Sequence, residues 1–416
     1  MRHLCLYFQV HQPFRLRHYR FFDIGHRDNY FDEDYNAFIM NKVAEKCYRP
    51  ANRLLLELIR KLEGRFKISY SISGTALDQF EAYAPDVLDS FKELASTNCV
   101  EFLAETSSHS LASLKSEAEF RCQINEHAHR IEQLFGKRPV ILRNTELIYS
   151  DHIGGMASRL GFQGMLTEGA DHILGWRSPN YLYRHPDNGL KLLLKNYKLS
   201  DDIAFRFSDP NWNQKPLTSD KFVHWLNAVP HFEQVVNLFM DYETFGEHQW
   251  AESGIFEFLR ALPGRTLNHS SYQFSTPSEV IDRLDPVARL SIPNPISWAD
   301  EARDLSAWLS NDLQRDAFES LYRLKNQVYS CDDRRLVNVW RYLQTSDHFY
   351  YMCTKYFADG DVHKYFNHYN SPYEAYINYM NVLSDFEMRL DERVKQCVLT
   401  KAKSIIGELE PQLSDN

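Results

Sequence analysis

The sequence predicts an α/β fold built on parallel strands, followed by a helical bundle. Through about residue 295, short apolar runs alternate with helical patterns at the spacing of strand–helix–strand units. Residues 235–240 are almost wholly apolar, which is typical of a parallel strand covered on both faces. Strand patterns nearly vanish after residue 295, where long helical patterns begin. We therefore expect two domains, an α/β barrel over residues 1–295 and a helical bundle over residues 296–416.

Each predicted strand is a short apolar or alternating run that ends near a polar residue or a proline. Pro13 cannot donate a hydrogen bond to a ladder, so the first strand ends before it. Residues 66–72 alternate between apolar and polar side chains, which predicts a strand. The predicted strands, in chain order, cover residues 4–10, 66–72, 99–104, 139–146, 162–166, 192–194 and 235–240.

Each predicted helix carries apolar residues at three- and four-residue spacing. A leucine-rich stripe over residues 51–62 lies between Pro50 and Gly64, which favour a helix start and a helix end. Gly136 closes a longer helix in the same way. Beyond the barrel, Trp298 stands at a predicted helix start. The predicted helices, in chain order, cover residues 51–62, 85–95, 116–135, 153–160, 221–228, 303–328, 334–344 and 372–406.

Composition excludes several classes of protein. Net charge is −9 and no basic run interleaves with aromatic residues, so we expect no nucleic-acid partner. No apolar stretch reaches about 18 residues, and the first residues lack a leader pattern, so we expect no membrane partner. The seven cysteines are scattered and contain no C-x-x-C pair, which favours free thiols in a reducing cytoplasm. We therefore predict a cytoplasmic protein without a metal or cofactor. The composition does not predict its oligomeric state.

Side chains able to do chemistry stand at the ends of four predicted strands. They are His11, Glu105, Glu146 and Asp241. The carboxyl ends of parallel strands meet at one edge of a barrel, so these side chains should share a cleft. Two acids on separate strands facing one cleft are the equipment of glycoside hydrolysis. The simpler interpretation of each acid is a solvated loop carboxylate after a core strand.

The two acids should differ in protonation. Asp241 and Glu243 are one residue apart, so strand alternation would point both side chains the same way. Burial and this like charge should raise the pKa of Asp241, which suits a proton donor. Arg143, three residues before Glu146, could supply the positive charge that keeps Glu146 ionised.

Several segments resemble, in order, the motif regions of glycoside hydrolase family 57. The segment 241–248, which reads Asp-Tyr-Glu-Thr-Phe-Gly-Glu-His, is the most specific of them. The segment 344–350 is similar to the α-amylase-like members. The segments that carry the resemblance are His11-Gln12-Pro13, Glu105 with His109, Arg143-Asn144-Thr145-Glu146, segment 241–248, and Trp298-Ala299-Asp300 through Asp304 and Trp308.

The resemblance implies an incomplete TIM-like (β/α)7 barrel followed by an α-helical bundle that completes the cleft. It implies a retaining enzyme that cleaves α-1,4-glucosidic bonds in starch, glycogen or maltodextrin. By position, Glu146 would be the nucleophile and Asp241 the general acid/base. The side chains implied to line the sugar subsites are His11, His109, Glu243 and His248. Glu105 and Arg143, at the same strand ends, are also predicted to bind the substrate.

Other residues have weaker predicted roles. Trp176 is expected either to stack on a sugar ring or to plug the barrel rim. The resemblance implies that Asp304 reaches the cleft from the bundle. Trp298 and Trp308 are ten residues apart on one helical pattern, so we expect both in the core of the bundle.

Three alternative functions are considered. A 4-α-glucanotransferase or branching enzyme would use the same two acids, with a sugar hydroxyl in place of water. A metal-dependent carbohydrate deacetylase would need paired histidines at helical spacing, whereas His127 and His129 are only two residues apart and no H-x-x-x-H occurs. A non-catalytic glucan-binding protein would not need Glu146.

Overall fold

The computed structural model of the protein describes residues 2–355 and 367–414, with side chains described up to residue 400. The predicted bundle therefore includes residues 356–366 and 415–416, which lie outside the described residues. The described residues form two compact units, the first comprising residues 2–13 and 34–307, and the second comprising residues 14–33, 308–355 and 367–414. The domain boundary predicted between residues 295 and 296 stays a prediction. So does the expectation that the helical bundle completes the cleft.

The strands of the first unit form two sheets. In the first sheet the order is β3-β2-β1-β8, with β9 beside the start of β1, and in the second it is β10-β6-β7-β5-β4. Apart from the antiparallel pair β6–β7, all these ladders are parallel. The strands are β1 Arg2–Val10, β2 Ile68–Ile72, β3 Val100–Phe102, β4 Ile141–Arg143, β5 Gly164–Glu168, β6 Tyr183–Arg184, β7 Lys191–Lys195, β8 Val235–Asp241, β9 Tyr272–Phe274 and β10 Ala288–Arg289.

One β-bridge on one side and two hydrogen bonds on the other join these sheets into a ring of seven strands. Ala104, just after β3, bridges to β4 through backbone hydrogen bonds of 3.0 and 2.8 Å. On the other side, the backbone N–H of Asn196 donates to the carbonyl of Asn237 at 2.9 Å, and the Asn237 side chain donates to Leu194 O at 2.9 Å. Among the described residues, these two bonds connect the end of β7 with β8, where a full barrel has a ladder. The predicted α/β fold with an incomplete (β/α)7 barrel is confirmed.

Helices follow most strands, as the alternating pattern predicts. The helix predicted over residues 51–62 is α2, and one π-helical turn, Ala44–Tyr48, separates it from α1. The helices are α1 Glu33–Val43, α2 Arg49–Lys61, α3 Gly74–Tyr83, α4 Pro85–Ser96, α5 Glu117–Phe135, α6 Asp151–Arg159, α7 Asp171–Leu174, α8 Tyr197–Ala204, α9 Ser219–Ala228, α10 Ile255–His269, α11 Pro277–Arg283, α12 Ser306–Leu309, α13 Asp312–Arg323, α14 Lys325–Ser330, α15 Arg334–Tyr342, α16 Ser346–Tyr350 and α17 Pro372–Ser414.

Two helix predictions are wrong. The single helix predicted over residues 303–328 is divided into α12, α13 and α14. Asn311 explains one break, because its side chain caps α13 by accepting a hydrogen bond from the backbone N–H of Gln314 at 2.9 Å. No helix starts at Trp298 either, since Asp300 and Arg303 adopt positive φ angles of 47° and 51°. The helix α3 was not predicted.

The core of the first unit lies within and around the strands. All nine residues of β1 and all five of β2 are buried. The alternation in β2 therefore does not mark a solvent face. Its polar side chains instead bond inward, Ser69 to the carbonyl of Leu6 at 3.0 Å and Ser71 to the Gln9 side chain at 2.7 Å. One core cluster comprises Cys5, Tyr7, Leu103, Ile141, Leu147, Leu166, Leu182, Leu193, Val235, Phe239, Val280 and Ile281.

The second unit is helical in its described residues. Two tryptophans of this unit, Trp308 and Trp340, are fully buried, so the core position predicted for Trp308 is confirmed. The buried carboxylate of Asp385 on α17 accepts hydrogen bonds of 2.6 Å from the Tyr30 hydroxyl and the Gly25 backbone N–H. None of the described helices has the length and apolar content needed to cross a bilayer.

Candidate active site

The four predicted strand-end residues all follow the carboxyl ends of parallel strands. His11 follows β1, Glu105 follows β3, Glu146 follows β4, and Asp241 is the last residue of β8. In the β1–β8 ladder, Gln9 and Asp241 are register partners. These residues therefore share the edge of the barrel at which such folds carry their chemistry.

Glu146 lies on a strained turn. The strand predicted over residues 139–146 ends at Arg143, and the 3-10 turn Thr145–Leu147 follows. Glu146 and Leu147 both have positive φ angles, 57° and 52°, which residues with a Cβ rarely adopt. Asn144 fixes the turn, because its side-chain amide donates to the Ile148 carbonyl at 2.9 Å. Strain of this kind persists where the surroundings hold it and is common at functional sites.

Two donors hold the Glu146 carboxylate, which is 7% exposed. The indole N–H of Trp298 donates to Oε2 at 2.6 Å, and its backbone N–H donates to the Glu146 carbonyl at 3.1 Å. His109 Nε2 lies 3.3 Å from Oε1. The expectation that Trp298 belongs to the core of the bundle is therefore wrong. Its indole contacts a candidate catalytic acid within the first unit.

His109 connects two acids. Its Nδ1 lies 2.8 Å from Glu105 Oε2, and its other nitrogen faces Glu146. Burial opposes its charged form, but the hydrogen bonds with Glu105 and Glu146 outweigh this and raise its pKa to about 9. At neutral pH His109 is therefore a cation that donates to both carboxylates. Its ring also stacks on His11, with 3.8 Å between the ring centroids.

Glu105 is held in its ionised form. Burial opposes this charge, but His109, together with the positive charge of Arg143, lowers the pKa of Glu105 to about 2. Gln9 also donates to Glu105 Oε1 at 3.1 Å. His127 orients the backbone, since its Nδ1 accepts from the Glu105 N–H at 3.2 Å. Glu105 is fully buried, so this arrangement makes it a support for His109.

Arg143 places a positive charge at the end of β4, and its expected effect on the ionisation of Glu146 stays a prediction. Its guanidinium is fully buried, and its carbon atom lies 4.8 Å from the centre of the Trp298 ring. Within the described part of the chain, its three guanidinium nitrogens have no hydrogen-bond partner. Its field acts on both Glu105 and Tyr7, whose pKa values it lowers against the effect of burial.

Asp241 and Glu243 occupy different surroundings. The chain turns at Tyr242–Thr244, so the strand alternation used to place both side chains on one side does not extend to Glu243. Asp241 is half-buried, whereas Glu243 is 4% exposed and accepts a short hydrogen bond from the Tyr48 hydroxyl. Burial and the charge of Asp241 raise the pKa of Glu243 to about 8. The raised pKa expected for Asp241 stays a prediction.

The loop after β8 packs on the π-helical turn that carries Tyr48. Lys42 Nζ lies 2.8 Å from the buried carboxylate of Glu247. Gly246 has φ of 112°, and a Cβ at this position would lie 1.9 Å from the carbonyl oxygen of Lys46. Single π-helical turns often occur at functional sites. Here the turn sets the direction of the Tyr48 hydroxyl toward Glu243.

The other predicted site residues are spread over the first unit. Trp176 follows α7 and is 95% exposed, which excludes the role of a plug for the barrel. His248 is half-buried in the loop after β8. Asp304 is exposed and groups with the first unit, and its side chain accepts from the backbone N–H of Ser306 at 2.8 Å.

Sequence reasoning did not identify four residues that shape the site: Gln9, Tyr48, His127 and Trp298. A signal existed for Gln9, because it is a polar residue in an apolar strand, two positions before His11. The Trp-Ala-Asp segment at Trp298 was part of the family resemblance. Its apparent helical pattern, however, led to the prediction that Trp298 lies in the core of the bundle. In the described residues, no three His, Cys, Asp or Glu side chains form a group that could hold a metal ion.

Comparisons with known proteins agree with this architecture. A crystal structure of a branching enzyme from Pyrococcus horikoshii superposes with a TM-score of 0.65 at 16% identity, covering 88% of this chain and 87% of that one. A crystal structure of an alpha-amylase from Thermotoga maritima superposes with a TM-score of 0.63 at 14% identity, covering 97% of each chain. At these identities the two structures support the fold alone.

Sequence comparison identifies the family. Residues 5–293 match the family model of glycosyl hydrolase family 57. A relative from Methanocaldococcus jannaschii, named "Putative alpha-amylase", is 45% identical over 401 residues, which span 92% of this chain and 84% of the relative. The chain belongs to glycosyl hydrolase family 57, and the resemblance inferred from its motifs is confirmed.

Proposed function

We propose that the protein is a retaining hydrolase that cleaves α-1,4-glucosidic bonds in starch, glycogen or maltodextrin. Membership of glycosyl hydrolase family 57 and the similarity to a relative named for alpha-amylase activity support this substrate class. One observation carries the mechanism. The Glu146 carboxylate stands at the carboxyl end of β4 between two donors, His109 and Trp298, and both favour its ionised form.

Glu146 is the nucleophile in this proposal. In the first step its carboxylate attacks the anomeric carbon, and a covalent glycosyl-enzyme forms. Asp241 gives its proton to the glycosidic oxygen as the bond to the leaving sugar breaks. The cation His109 stays between Glu105 and Glu146, so the site keeps a positive charge beside the carboxylate that must remain ionised at neutral pH.

The second step returns the enzyme to its starting state. Asp241, now ionised, takes a proton from a water molecule, which attacks the anomeric carbon and releases Glu146. A sugar hydroxyl in place of water would give transglycosylation, as in a 4-α-glucanotransferase or a branching enzyme. Burial and the charge of Asp241 raise the pKa of Glu243, so the pair Asp241 and Glu243 retains a proton at neutral pH.

The remaining predicted residues have substrate-binding roles in this proposal. His11 lies on the His109 ring, and its Nδ1 lies 2.8 Å from the Ser73 hydroxyl, so its ring orientation is fixed at the strand end. Trp176 offers an exposed indole face on which a sugar ring can stack. We assign His248 and Asp304 to more distant sugar contacts, on the family resemblance. The partner is thus an α-glucan or a maltooligosaccharide.

A cytoplasmic location is part of the proposal. All seven cysteines are free thiols in the structure, including the exposed Cys122. Exposed free thiols suit a reducing compartment. Lysis of cells in denaturant with a thiol-blocking reagent should label all seven cysteines, because unfolding exposes the buried thiols. Cysteines that react only after a reductant has been added would contradict the proposal.

Azide rescue tests the assignment of the two acids. In Glu146→Ala, azide can enter the space left by the carboxylate and attack an aryl α-maltooligoside from the face opposite the leaving group, giving a β-glycosyl azide. In Asp241→Ala, azide attacks the glycosyl-enzyme instead and gives an α-glycosyl azide. Products are identified by NMR. The same configuration from both variants, or full activity of Glu146→Ala without azide, would refute the assignment.

Product analysis separates hydrolysis from transfer. With maltoheptaose as substrate, hydrolysis gives only shorter oligosaccharides, whereas transfer also gives chains longer than the substrate. Chromatography of the early products distinguishes the two, and oligosaccharides longer than maltoheptaose as the main product would replace the hydrolase with a transferase.

A further inference from the structure

A second group of charged side chains lies at the same edge of the barrel. It consists of Glu168, the last residue of β5, Lys195, the last residue of β7, Asp201 on α8, and Arg303, and we name these four residues the charge cluster. Glu168 and Lys195 are register partners in the β5–β7 ladder. The first three are buried and Arg303 is half-buried. The mechanism proposed above uses none of them.

Each cation in the charge cluster faces both acids. Lys195 Nζ lies 3.0 Å from Asp201 and 3.7 Å from Glu168. The Arg303 guanidinium lies 3.3 Å from Asp201 and 3.5 Å from Glu168. With two cations and two anions, the ionised cluster has no net charge. Taking four charges out of water is nevertheless unfavourable, so a buried cluster of this kind is weak evidence for a contribution to stability.

The charge cluster contacts Trp298 in two ways. Arg303 donates to the Trp298 carbonyl at 2.5 Å, and Lys195 Nζ lies 5.4 Å from the centre of the indole ring. Trp298 and Arg303 lie on one closed loop, in which the backbone N–H of Ser297 donates to the Arg303 carbonyl at 3.1 Å. Arg303 has a φ of 51°, so the loop also holds backbone strain.

Trp298 in turn contacts the candidate nucleophile. Its indole N–H donates to Glu146 Oε2 at 2.6 Å, a bond that spans 152 positions in the sequence. An unbroken series of contacts therefore runs from the ends of β5 and β7, through Arg303 and Lys195, to the carboxylate at the end of β4. In the loop between Trp298 and Arg303, no described residue belongs to a helix or a strand. Side-chain contacts must therefore fix its geometry.

We propose that the charge cluster is a positioning device that holds the Trp298 indole on the Glu146 carboxylate. Glu168, Lys195, Asp201 and Arg303 are thus positioning residues, which act on the reaction through Trp298. The inference rests on the proposed role of Glu146 as nucleophile. If the charge cluster has this role, the pKa of Glu146 depends on the charged side chains of the cluster through their contacts with Trp298.

A double-mutant cycle tests this proposal. The variants are Trp298→Phe, Arg303→Met and the double variant, and the measurement is kcat/KM for maltoheptaose as a function of pH. Loss of a hydrogen bond to a charged group should lower kcat/KM on the order of 10- to 100-fold in each single variant. The acidic limb, which reports Glu146 in the free enzyme, should move to higher pH. The double variant should be no worse than Trp298→Phe, because the two changes remove the same contact.

Matched variants show whether the effect is specific. Arg130 also pairs with two carboxylates in the first unit, those of Asp78 and Glu81. Arg130→Met should keep the wild-type kcat/KM and pH profile within about twofold, since Arg130 bonds to Gly74, Asp78 and Glu81, which are not members of the charge cluster. Arg303→Lys keeps the cation and should recover part of the activity. If Arg303→Met does not fold, as judged by circular dichroism, Lys195→Met provides the same cycle with Trp298.

The experiments distinguish failure of the positioning role from failure of the proposed function. If the losses in Trp298→Phe and Arg303→Met multiply in the double variant, or if Arg303→Met keeps the wild-type pH profile, the positioning role is refuted. If Glu146→Ala remains active, the proposed function itself is refuted, whatever the cycle shows.

Discussion

Glu105 and Glu243 are both buried glutamates at strand ends of one barrel, but their protonation differs. Burial alone would raise the pKa of each. At Glu105, His109 and Arg143 outweigh burial and lower the pKa to about 2. At Glu243, the like charge of Asp241 adds to burial, and the pKa rises to about 8. Because burial acts in the same direction on both acids, their neighbouring groups decide which of the two holds a proton.

The two candidate catalytic acids, Glu146 and Asp241, lie in two halves of the site with opposite surroundings. The half around Glu146 contains the cations His109 and Arg143, whereas the half around Asp241 contains Glu243, which accepts a hydrogen bond from the Tyr48 hydroxyl. Environments that push the pKa values of two acids apart are how enzymes separate a nucleophile from a proton donor. The division fits Glu146 in the first role and Asp241 in the second.

The largest effect should follow from removing either acid. Glu146→Ala and Asp241→Ala should each lower kcat on natural glucans by several orders of magnitude, roughly 10⁴-fold or more, because each takes part directly in bond breaking. Both should keep the wild-type circular dichroism spectrum. The exposed acid Glu93 provides a control, and Glu93→Gln should leave kcat unchanged. Equal activity of Glu146→Ala and Glu93→Gln would remove the distinction between the two halves.

Removing the cation from the first half should have the next largest effect. His109→Gln should lower kcat/KM about 100-fold and move the acidic limb to higher pH, because Glu146 loses a charged donor. Chromogenic maltooligosides provide the pH profile.

Stability provides a separate check on His109. Its pKa is raised from 6.5 to about 9, so the stabilisation is fully present below pH 6.5 and is lost as pH rises through 9. Urea unfolding at pH 6, 8 and 10 should show the wild type losing its advantage over His109→Gln. A difference that does not change between pH 6 and 10 would contradict the charged state of His109.

In the half around Asp241, the titration of Glu243 should change the free energy of unfolding between pH 4.5 and 8. The pKa of Glu243 is raised from 4.5 to about 8, so its stabilisation is present below pH 4.5 and is lost as pH rises through 8. Glu243→Gln lacks this titration and should become more stable than the wild type across that window, by a few kcal/mol on the order of the shift. Urea unfolding measures the difference, and parallel curves for the two proteins would contradict the raised pKa.

The smallest effect should come from the exposed Trp176. If stacking on a sugar ring contributes as much as an aromatic pair, about 0.5–1.5 kcal/mol beyond area burial, Trp176→Ala should raise KM for long glucans roughly 2- to 10-fold with little change in kcat. Because the side chain is 95% exposed, the thermal unfolding midpoint should not change. Phe232, which is 62% exposed, provides a matched control variant, Phe232→Ala. Equal KM values for both variants would exclude Trp176 from substrate binding.

Local patterns in the sequence predicted the features that depend on neighbours along the chain. The apolar run at residues 235–240 matches β8, Val235–Asp241, because a covered parallel strand needs apolar side chains on both faces. The common direction of parallel strands predicted that His11, Glu105 and Glu146 lie on one edge of the barrel. Such features need only periodicity and the direction of the chain.

Other features depend on contacts between distant segments, which periodicity does not encode. The bond from Trp298 to Glu146 spans 152 positions, and the bond from Tyr48 to Glu243 spans 195. The helical pattern around Trp298 was misleading, because Arg303 and Asp300 adopt positive φ angles that tertiary contacts sustain. Strand alternation was not a valid basis for the same-side placement of Asp241 and Glu243, because a turn replaces the strand at Tyr242–Thr244. The placement itself stays a prediction.

The π-helical turn Ala44–Tyr48 makes the length of the first helical region a determinant of acidity at the site. A π turn contains one residue more than the α-helical turn it interrupts. Deleting that residue would rotate the side chains on one flank by about 100°, the angle per residue of an α-helix, relative to the other. Either Tyr48 would turn away from Glu243, or the backbone at Lys46 would lose its fit to Gly246. A change in chain length at residues 44–48 would therefore alter proton affinity at residue 243.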